Sequence, residues 1–276
     1  MVYVMGQTFV ILAAGWGSRF NQLTFFIPKP LIKFGDQLII DYALDNIKNH
    51  LPEVDTTIVV SGYKKKIMKE YIESIAPKYS FELYCVPAPD YKNGNGKSLL
   101  AAEPYATDPF FLAMCDHLFE ETHYHMIEVE FEEGIDLSLC IDFSPKSNIQ
   151  LDDATKVFTD RENNILHIGK NLLPWTAIDT GLFCLSPRIF KRLKQVSKKY
   201  VTVTDGVNQM IRHGDSVKGV DVSGLYWADI DTFTDLRNAE LHLSLDVDAL
   251  FSSPEEHFQK IDQSETLNTR RNSENP

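Results

Sequence analysis

Two periodicities share the chain. "TFVILAA" (8–14) reads as a buried strand, and "TTIVVSGY" (56–63), "SFELYCV" (80–86) and "FFLAMCD" (110–116) are β-branched or aromatic runs of strand length. Between them, "LIIDYALDNIKNHL" (38–51) and "KKKIMKEYIESIA" (64–76) carry apolar residues at helical spacing, and "KSLLAAEPY" (97–105) reads as a short helix. Strands alternating with helices predict βαβ units, and so an α/β fold with a mostly parallel sheet and helices on both faces. The second half is less regular. "IDLSLCIDF" (135–143), "ATKVFTD" (154–160), "NILHIGK" (164–170) and "IDTGLFCLS" (178–186) read as strands. Helices are predicted over "PRIFKRLKQVS" (187–197), "TVTDGVNQMIRHG" (202–214) and "FTDLRNAELHLSLDVDAL" (233–250). From 252 to 276 the composition turns polar, which predicts a disordered tail. The expected organisation is one domain over 1–251, with a nucleotide half to about 120 and an acceptor half beyond it.

Composition narrows the function classes. The chain has 276 residues, 43% hydrophobic and 24% charged, with a formal net charge of −12. Such a balance disfavours a nucleic-acid partner, which needs a basic face. No run approaches the ~18 apolar residues of a membrane span, and the N-terminus lacks the basic region and cleavage site of a signal peptide. Cys85, Cys115, Cys140 and Cys184 lie far apart in apolar runs, so they read as buried, reduced core residues. A cytoplasmic location is expected from these features.

The chemistry begins at "LAAGWGSRF" (12–20) and "PKPL" (28–31). Leu12, Ala13, Ala14, Gly15 and Gly17 follow the first predicted strand, at the carboxyl edge where α/β sheets bind ligands. Small side chains let a base or phosphate approach backbone N–H groups. The loop is not a dinucleotide fingerprint, because Phe20 replaces its third glycine; "GKS" at 96–98 is not a Walker loop, because Tyr91 stands where that motif needs glycine. An ordinary tight turn is the competing reading. Arg19 and Lys29 shift the balance: two cations beside such a loop can neutralise a triphosphate, and Pro28 and Pro30 restrict the lysine's direction.

These segments resemble the signature of nucleotidyltransferases that join a nucleoside triphosphate to a phosphorylated sugar, polyol or alcohol. "NGNGKSLLAAE", "MCDH", "LDDATKV", "IGK", "DTGLF" and "WADIDTFTDLRNAE" follow in an order similar to the inositol-1-phosphate cytidylyltransferase branch, across roughly 8 to 245. The resemblance implies a Rossmann-like three-layer α/β/α fold with a mixed, mostly parallel central sheet. It implies CTP and a small phosphorylated acceptor, inositol 1-phosphate first. It places Arg19 and Lys29 on phosphates and Asp116 and Asp229 on Mg²⁺, with Asn95, Gly96 and Ser98 beside the base. It sets Lys170, Asp179, Thr180 and Gly181 at the acceptor. Asp231 has two readings, a third metal carboxylate or the cap of the following helix. Asp116 likewise competes with a helix N-cap reading.

Phosphocholine, a small phosphonate and a sugar 1-phosphate are alternative acceptors. The chain is rich in Asn without raised charge, which weakens a link to hyperthermophile inositol products. Trp175, just before "AIDTG", is placed to face a quaternary ammonium, with core packing as the competing role. Outside this class stand a glycosyltransferase, through a misread "DID", and a non-catalytic nucleotide-binding regulatory subunit. His123 and His125, two apart on a helix, face different ways and predict no metal site. Some members of the branch are fused to a membrane-embedded CDP-alcohol transferase, so a separate downstream enzyme of that kind is an expected partner.

Overall fold

The computed structural model describes residues 7–243 apart from 21, 22, 130, 132, 133 and 146–150. The predicted tail, and the end of the last predicted helix over 244–250, lie outside the described residues.

The first half runs β1 (Gln7–Ala13), β2 (Lys33–Phe34), β3 (Gln37–Leu38), α1 (Ile39–His50), β4 (Val54–Ser61), α2 (Lys65–Ile75), β5 (Glu82–Pro87), α3 (Asn95–Leu99) and β6 (Phe110–Met114). It continues with β7 (His117–Phe119), α4 (Glu121–Val129), β8 (Leu137–Asp142), β9 (Lys156–Thr159), β10 (Ile165–Gly169) and β11 (Ala177–Leu185). The chain then forms α5 (Arg188–Lys194), α6 (Val203–Arg212), β12 (Val217–Asp221), β13 (Trp227–Asp229) and α7 (Phe233–His242).

Nine strands form the central sheet, in the order β10-β9-β11-β6-β1-β4-β5, with β8 on β11 and β12 on β8. The β1–β4, β1–β6, β4–β5 and β8–β12 pairs are parallel; β11 runs antiparallel to β6, β8 and β9. The sheet is therefore mixed: β1, β4, β5 and β6 make a parallel unit in the first half, and β8 with β12 adds a parallel pair in the second.

Strand alternation builds two cores. Phe9, Ile11 and Ala13 of β1 face one side with Ile40, Leu44 and Ile47 of α1 and Met68 and Ile72 of α2. Val10 and Leu12 face the other with Leu99 of α3, Ile189 and Leu193 of α5 and Val207 and Met210 of α6. Successive side chains of a strand point to opposite faces, so one strand serves both layers. This is the three-layer α/β/α arrangement expected. A third cluster, with Phe20, Ile32, Phe34, Leu118, Ile230 and Leu236, sits beside the carboxyl edge and braces the segments that carry the charged residues.

Candidate active site

Ala14 is the last buried residue after β1, and Gly15 is exposed. Gly17 has φ +67°, and a Cβ there would lie 2.8 Å from Cβ of Lys29. Only glycine meets both constraints without strain. Lys29 opens a short 3-10 turn (Lys29–Leu31) after Pro28 and is 5% exposed. Its Nζ donates to Oδ2 of Asp116 at 2.6 Å and Oδ1 of Asp231 at 2.8 Å, and lies 5.7 Å from the centre of the Phe20 ring.

Asp116 follows β6, whose register beside β1 brings it to the glycine loop; the Cys115 N–H donates to the Leu12 carbonyl at 3.2 Å. β7 and β13 then pair antiparallel with His117 opposite Asp229. Ligand atoms of Asp116, His117 and Asp229 all lie within 4.8 Å of one another. The Nδ1–H of His117 donates to the Thr180 carbonyl at 2.6 Å, which turns Nε2 toward Oδ1 of Asp229, 3.8 Å away. Gly181 makes that placement possible: its φ is +89°, and a Cβ there would lie 2.4 Å from Nδ1 of His117. The Gly181 N–H donates to Asp179 at 2.8 Å.

A chain of alternating charges crosses the cleft. Asp231 accepts from Lys29 and from Arg19; Arg19 also donates to Asp153 at 2.5 Å, and Asp153 accepts from Lys170. The cleft holds about 460 Å³, and its lining includes Gly17, Arg19, Asn95, His117, Asp153, Lys170, Asp179, Gly181 and Asp229.

These contacts set protonation. Burial pushes the Lys29 ammonium down, but Asp116, Asp231 and Asp229 together outweigh it and hold its pKa above the ordinary lysine value. Burial likewise opposes the charge on Asp116, yet Lys29 and His117 keep its carboxyl below the usual range. His117 is pulled down by burial and lifted further by Asp229 and Asp116. Burial raises Asp229 and Asp179 to about 6 each. Hydrogen bonds from Lys170 and then Arg19 hold the Asp153 carboxyl low.

The structure brings Gly17, Arg19, Asn95, Lys170, Asp179, Gly181, Asp229 and Asp231 to one cleft, with Lys29 and Asp116 joined to it through Asp231. Other expectations are corrected. Thr180 is fully buried, and its hydroxyl donates to the Cys140 carbonyl at 3.0 Å. Strand alternation that turns Asp179 and Gly181 to the cleft turns Thr180 away. Trp175 packs half-buried against the first core cluster and is absent from the cleft lining. Leu12 and Ala13, whose backbone alone the nucleotide expectation concerns, put their side chains into the two cores. Gly96 donates its N–H to the Val201 carbonyl at 3.0 Å, and Ser98 is buried with its hydroxyl on the Gly94 carbonyl at 3.5 Å. Both thus hold α3 in place, while Asn95 faces the cleft and accepts from the Val203 N–H at 3.0 Å. Asp231 is not the helix cap; Thr232 caps α7, with Asp235 completing the box. Nor is Asp116 a helix cap, because β7 follows it.

Asp153 and His117 were not picked out from sequence. Both lie inside motifs that were, "LDDATKV" and "MCDH", but nothing in spacing alone says that Asp153 would meet Arg19, 134 residues away.

Residues 9–137 match the family model of the MobA-like NTP transferase domain. The chain is 27% identical over 239 residues to the bifunctional IPC transferase and DIPP synthase of Aquifex aeolicus (strain VF5), a match covering 87% of this chain and 52% of the relative. It spans about half the length of the curated relatives it matches. The solved structure of the inositol-1-phosphate CTP transferase from T. maritima aligns with a TM-score of 0.77 at 22% identity, over 86% of this chain and 94% of that one. UDP-glucose pyrophosphorylase from Acinetobacter baumanii aligns at 0.72 and 16% identity, over 94% and 99%. The Rossmann-like three-layer α/β/α fold implied by the motifs is therefore the fold of this chain.

Proposed function

We propose that the chain is a nucleotidyltransferase that transfers CMP from CTP to inositol 1-phosphate, giving a CDP-linked product and pyrophosphate. The observation that carries the reading is the convergence of Lys29 and Arg19 with Asp116 and Asp229 at the carboxyl edge of a parallel sheet. The names of the Aquifex aeolicus relative and the T. maritima structure support the same chemistry. The nucleotide half, to about residue 120, would hold CTP, and the half from about 121 to 251 the acceptor.

A phosphate monoester is largely a dianion near neutrality, with a second pKa of about 6. Its oxygen attacks the α-phosphorus of CTP. The new P–O bond forms as the bond to pyrophosphate breaks, and the electron pair leaves on the pyrophosphate oxygen. No proton need be removed, so no general base is required. The chain's residues align the reactants and meet charge. Lys29 is fixed before substrate arrives. Arg19, half exposed, exchanges its carboxylate partners for phosphate oxygens. Lys170 takes the acceptor phosphate, while Asp179 and Asp153 accept hydrogen bonds from ring hydroxyls. Gly15 and Gly17 let the triphosphate approach, and Asn95 faces the base.

Asp116 and Asp229 suit Mg²⁺, since both offer carboxylate oxygen at the converging cluster, which is the donor type a hard cation takes. Bound there, the ion would supply charge neutralisation at the phosphates. Asp231, already shared by Lys29 and Arg19, is better suited to orienting those cations than to serving as a ligand.

The position of Trp175 removes the aromatic support for a quaternary ammonium, so phosphocholine falls behind a polyol phosphate. The same cleft admits sugar 1-phosphates as a second reading, carried by the fit to UDP-glucose pyrophosphorylase. Use of the product would require a CDP-alcohol transferase activity downstream. The test is pyrophosphate release, crossing the four ribonucleoside triphosphates with inositol 1-phosphate, phosphocholine, 2-aminoethylphosphonate, glycerol 3-phosphate and glucose 1-phosphate. Release with CTP and inositol 1-phosphate, abolished in Asp116→Ala, is expected. Preference for glucose 1-phosphate would move the reading to the sugar class. Silence from folded protein would leave a non-catalytic nucleotide-binding role.

A further inference from the structure

Three parallel strands, β1, β4 and β5, end on one edge of the sheet, and the loops that follow them share a surface. Trp16, in the loop after β1, is 46% exposed, and Phe25 and Phe26 are 58% and 59% exposed. Trp16 lies 5.9 Å from the Phe25 ring and 5.9 Å from the Tyr63 ring, centre to centre. The Tyr63 N–H donates to the Ala14 carbonyl at 3.0 Å, which fastens the loop after β4 to the loop after β1. Tyr91, after β5, packs on Gly62: a Cβ there would meet the tyrosine ring at 2.4 Å. Trp16, Phe25 and Phe26 thus form an exposed aromatic group beside the cleft, adjoined by the half-buried Tyr63 and Tyr91. Exposed apolar patches of this kind mark an interaction surface.

Lysines surround it. Lys64 has its ammonium 5.5 Å from the Tyr63 ring centre, and Lys92 sits 5.9 Å from that of Tyr91. Lys65 and Lys66 open α2, Lys69 follows one turn on, and the first turn carries no acidic residue. Cations at a helix N-terminus oppose the helix dipole, so this arrangement is unfavourable until an outside anion meets it. Residues 62–73 and 88–93 hold five lysines against Glu70, Glu73 and Asp90, in a chain whose net charge is −12. Glu70 and Glu73 stand 3.6 Å from Lys66 and Lys69; among the described residues no ion pair is found for Lys64, Lys65 or Lys92.

We propose that this aromatic and lysine-rich face is a docking surface for an anionic lipid bilayer, holding the cleft mouth at the membrane. Aromatic rings settle at the headgroup level of a bilayer, and clustered lysines are attracted to anionic lipid. No described helix is long and apolar enough to cross a membrane, so the association is peripheral and reversible. The charge complementarity selects lipid over a second copy of this chain, whose like face would repel it.

The test is co-sedimentation of the full chain with vesicles of phosphatidylcholine alone and of phosphatidylcholine mixed with phosphatidylglycerol. Binding to the mixed vesicles only, weakened by salt, is expected. Lys65→Gln with Lys66→Gln lowers the partition coefficient by roughly fivefold per lysine. Phe25→Ser with Phe26→Ser abolishes the binding that survives high salt, and leaves turnover of soluble substrates unchanged. No binding, or binding indifferent to both variants, overturns the proposal. So does a wild-type dimer in light scattering that the phenylalanine variant converts to monomer without any vesicle binding. A raised KM for the triphosphate in that variant, with vesicle binding intact, also overturns it and assigns the aromatics to the nucleotide loop.

Discussion

The two shores of the cleft hold their lysines differently. Lys29, on the side proposed for the nucleotide, has a side chain 6% exposed and is gripped by two carboxylates; Lys170, on the side proposed for the acceptor, is 57% exposed and meets one. A buried cation that is fully paired costs nothing further when the substrate binds, and its direction is fixed in advance. An exposed one is held weakly and can follow its ligand. The same contrast runs through the backbone: the first half is a parallel unit built from regular crossovers, and the second crosses back antiparallel through β11 and its neighbours. In the proposed reaction the triphosphate would lie with the buried, paired lysine. The proposed acceptor would meet the exposed one.

Lys29→Met gives the largest expected break in that contrast. It leaves Asp116 and Asp231 facing each other without their cation. Loss of one positioned charge donor predicts a fall in kcat of roughly 10²–10³-fold. Breaking a buried pair costs ~3–5 kcal/mol, and the partial exposure of both carboxylates places this site at the low end. Steady-state pyrophosphate release and urea unfolding check both. If Lys29 behaved like a surface lysine, stability would stay put.

Gly181→Ala sharpens the link between the shores. A methyl at φ +89° that must displace the His117 ring predicts a loss of ~1–3 kcal/mol and reduced turnover. Unchanged melting and kinetics would mean that His117 is not held as described. Lys170→Met comes next: the KM for the acceptor rises roughly tenfold, the value of one charge-assisted hydrogen bond, while the melting temperature hardly moves. A raised KM for CTP instead would place Lys170 on the wrong shore.

One further effect lies away from the cleft, leaves turnover untouched and reads out through pH. His123 is fully buried, its Nε2 has no hydrogen-bond partner, and burial lowers its pKa from 6.5 to about 4. Between those values the unfolded chain takes a proton that the folded one refuses. Stability therefore falls as pH drops from about 6.5 toward 4, by up to about 3 kcal/mol. His123→Met removes that slope. Urea midpoints at pH 7 and pH 5 test it, and an unchanged difference in the variant would assign the slope to other groups.

Much of this was legible along the chain. The strand and helix periods of the first half, the glycine loop and Asp116 after its strand are each visible within a short window, while Asp229 comes from the family resemblance. Thr180 and Trp175 were misread because a motif specifies residue type, not the face a side chain takes. On β11 that face alternates: Asp179 and Gly181 look into the cleft, and Thr180 between them looks into the protein. Gly96 and Ser98 misled for a related reason, since small residues serve close backbone packing as readily as ligand approach.

Local order and the candidate cations and carboxylates follow from the sequence by itself, because each depends on neighbours within a few positions. Which charge meets which does not. Arg19 pairs with Asp153 and Asp231 across 134 and 212 residues. Those meetings depend on sheet order, strand register and the antiparallel pairing of β7 with β13. Burial of Lys29 is likewise a property of what packs around it, so the tertiary structure alone decided which lysine became the fixed one.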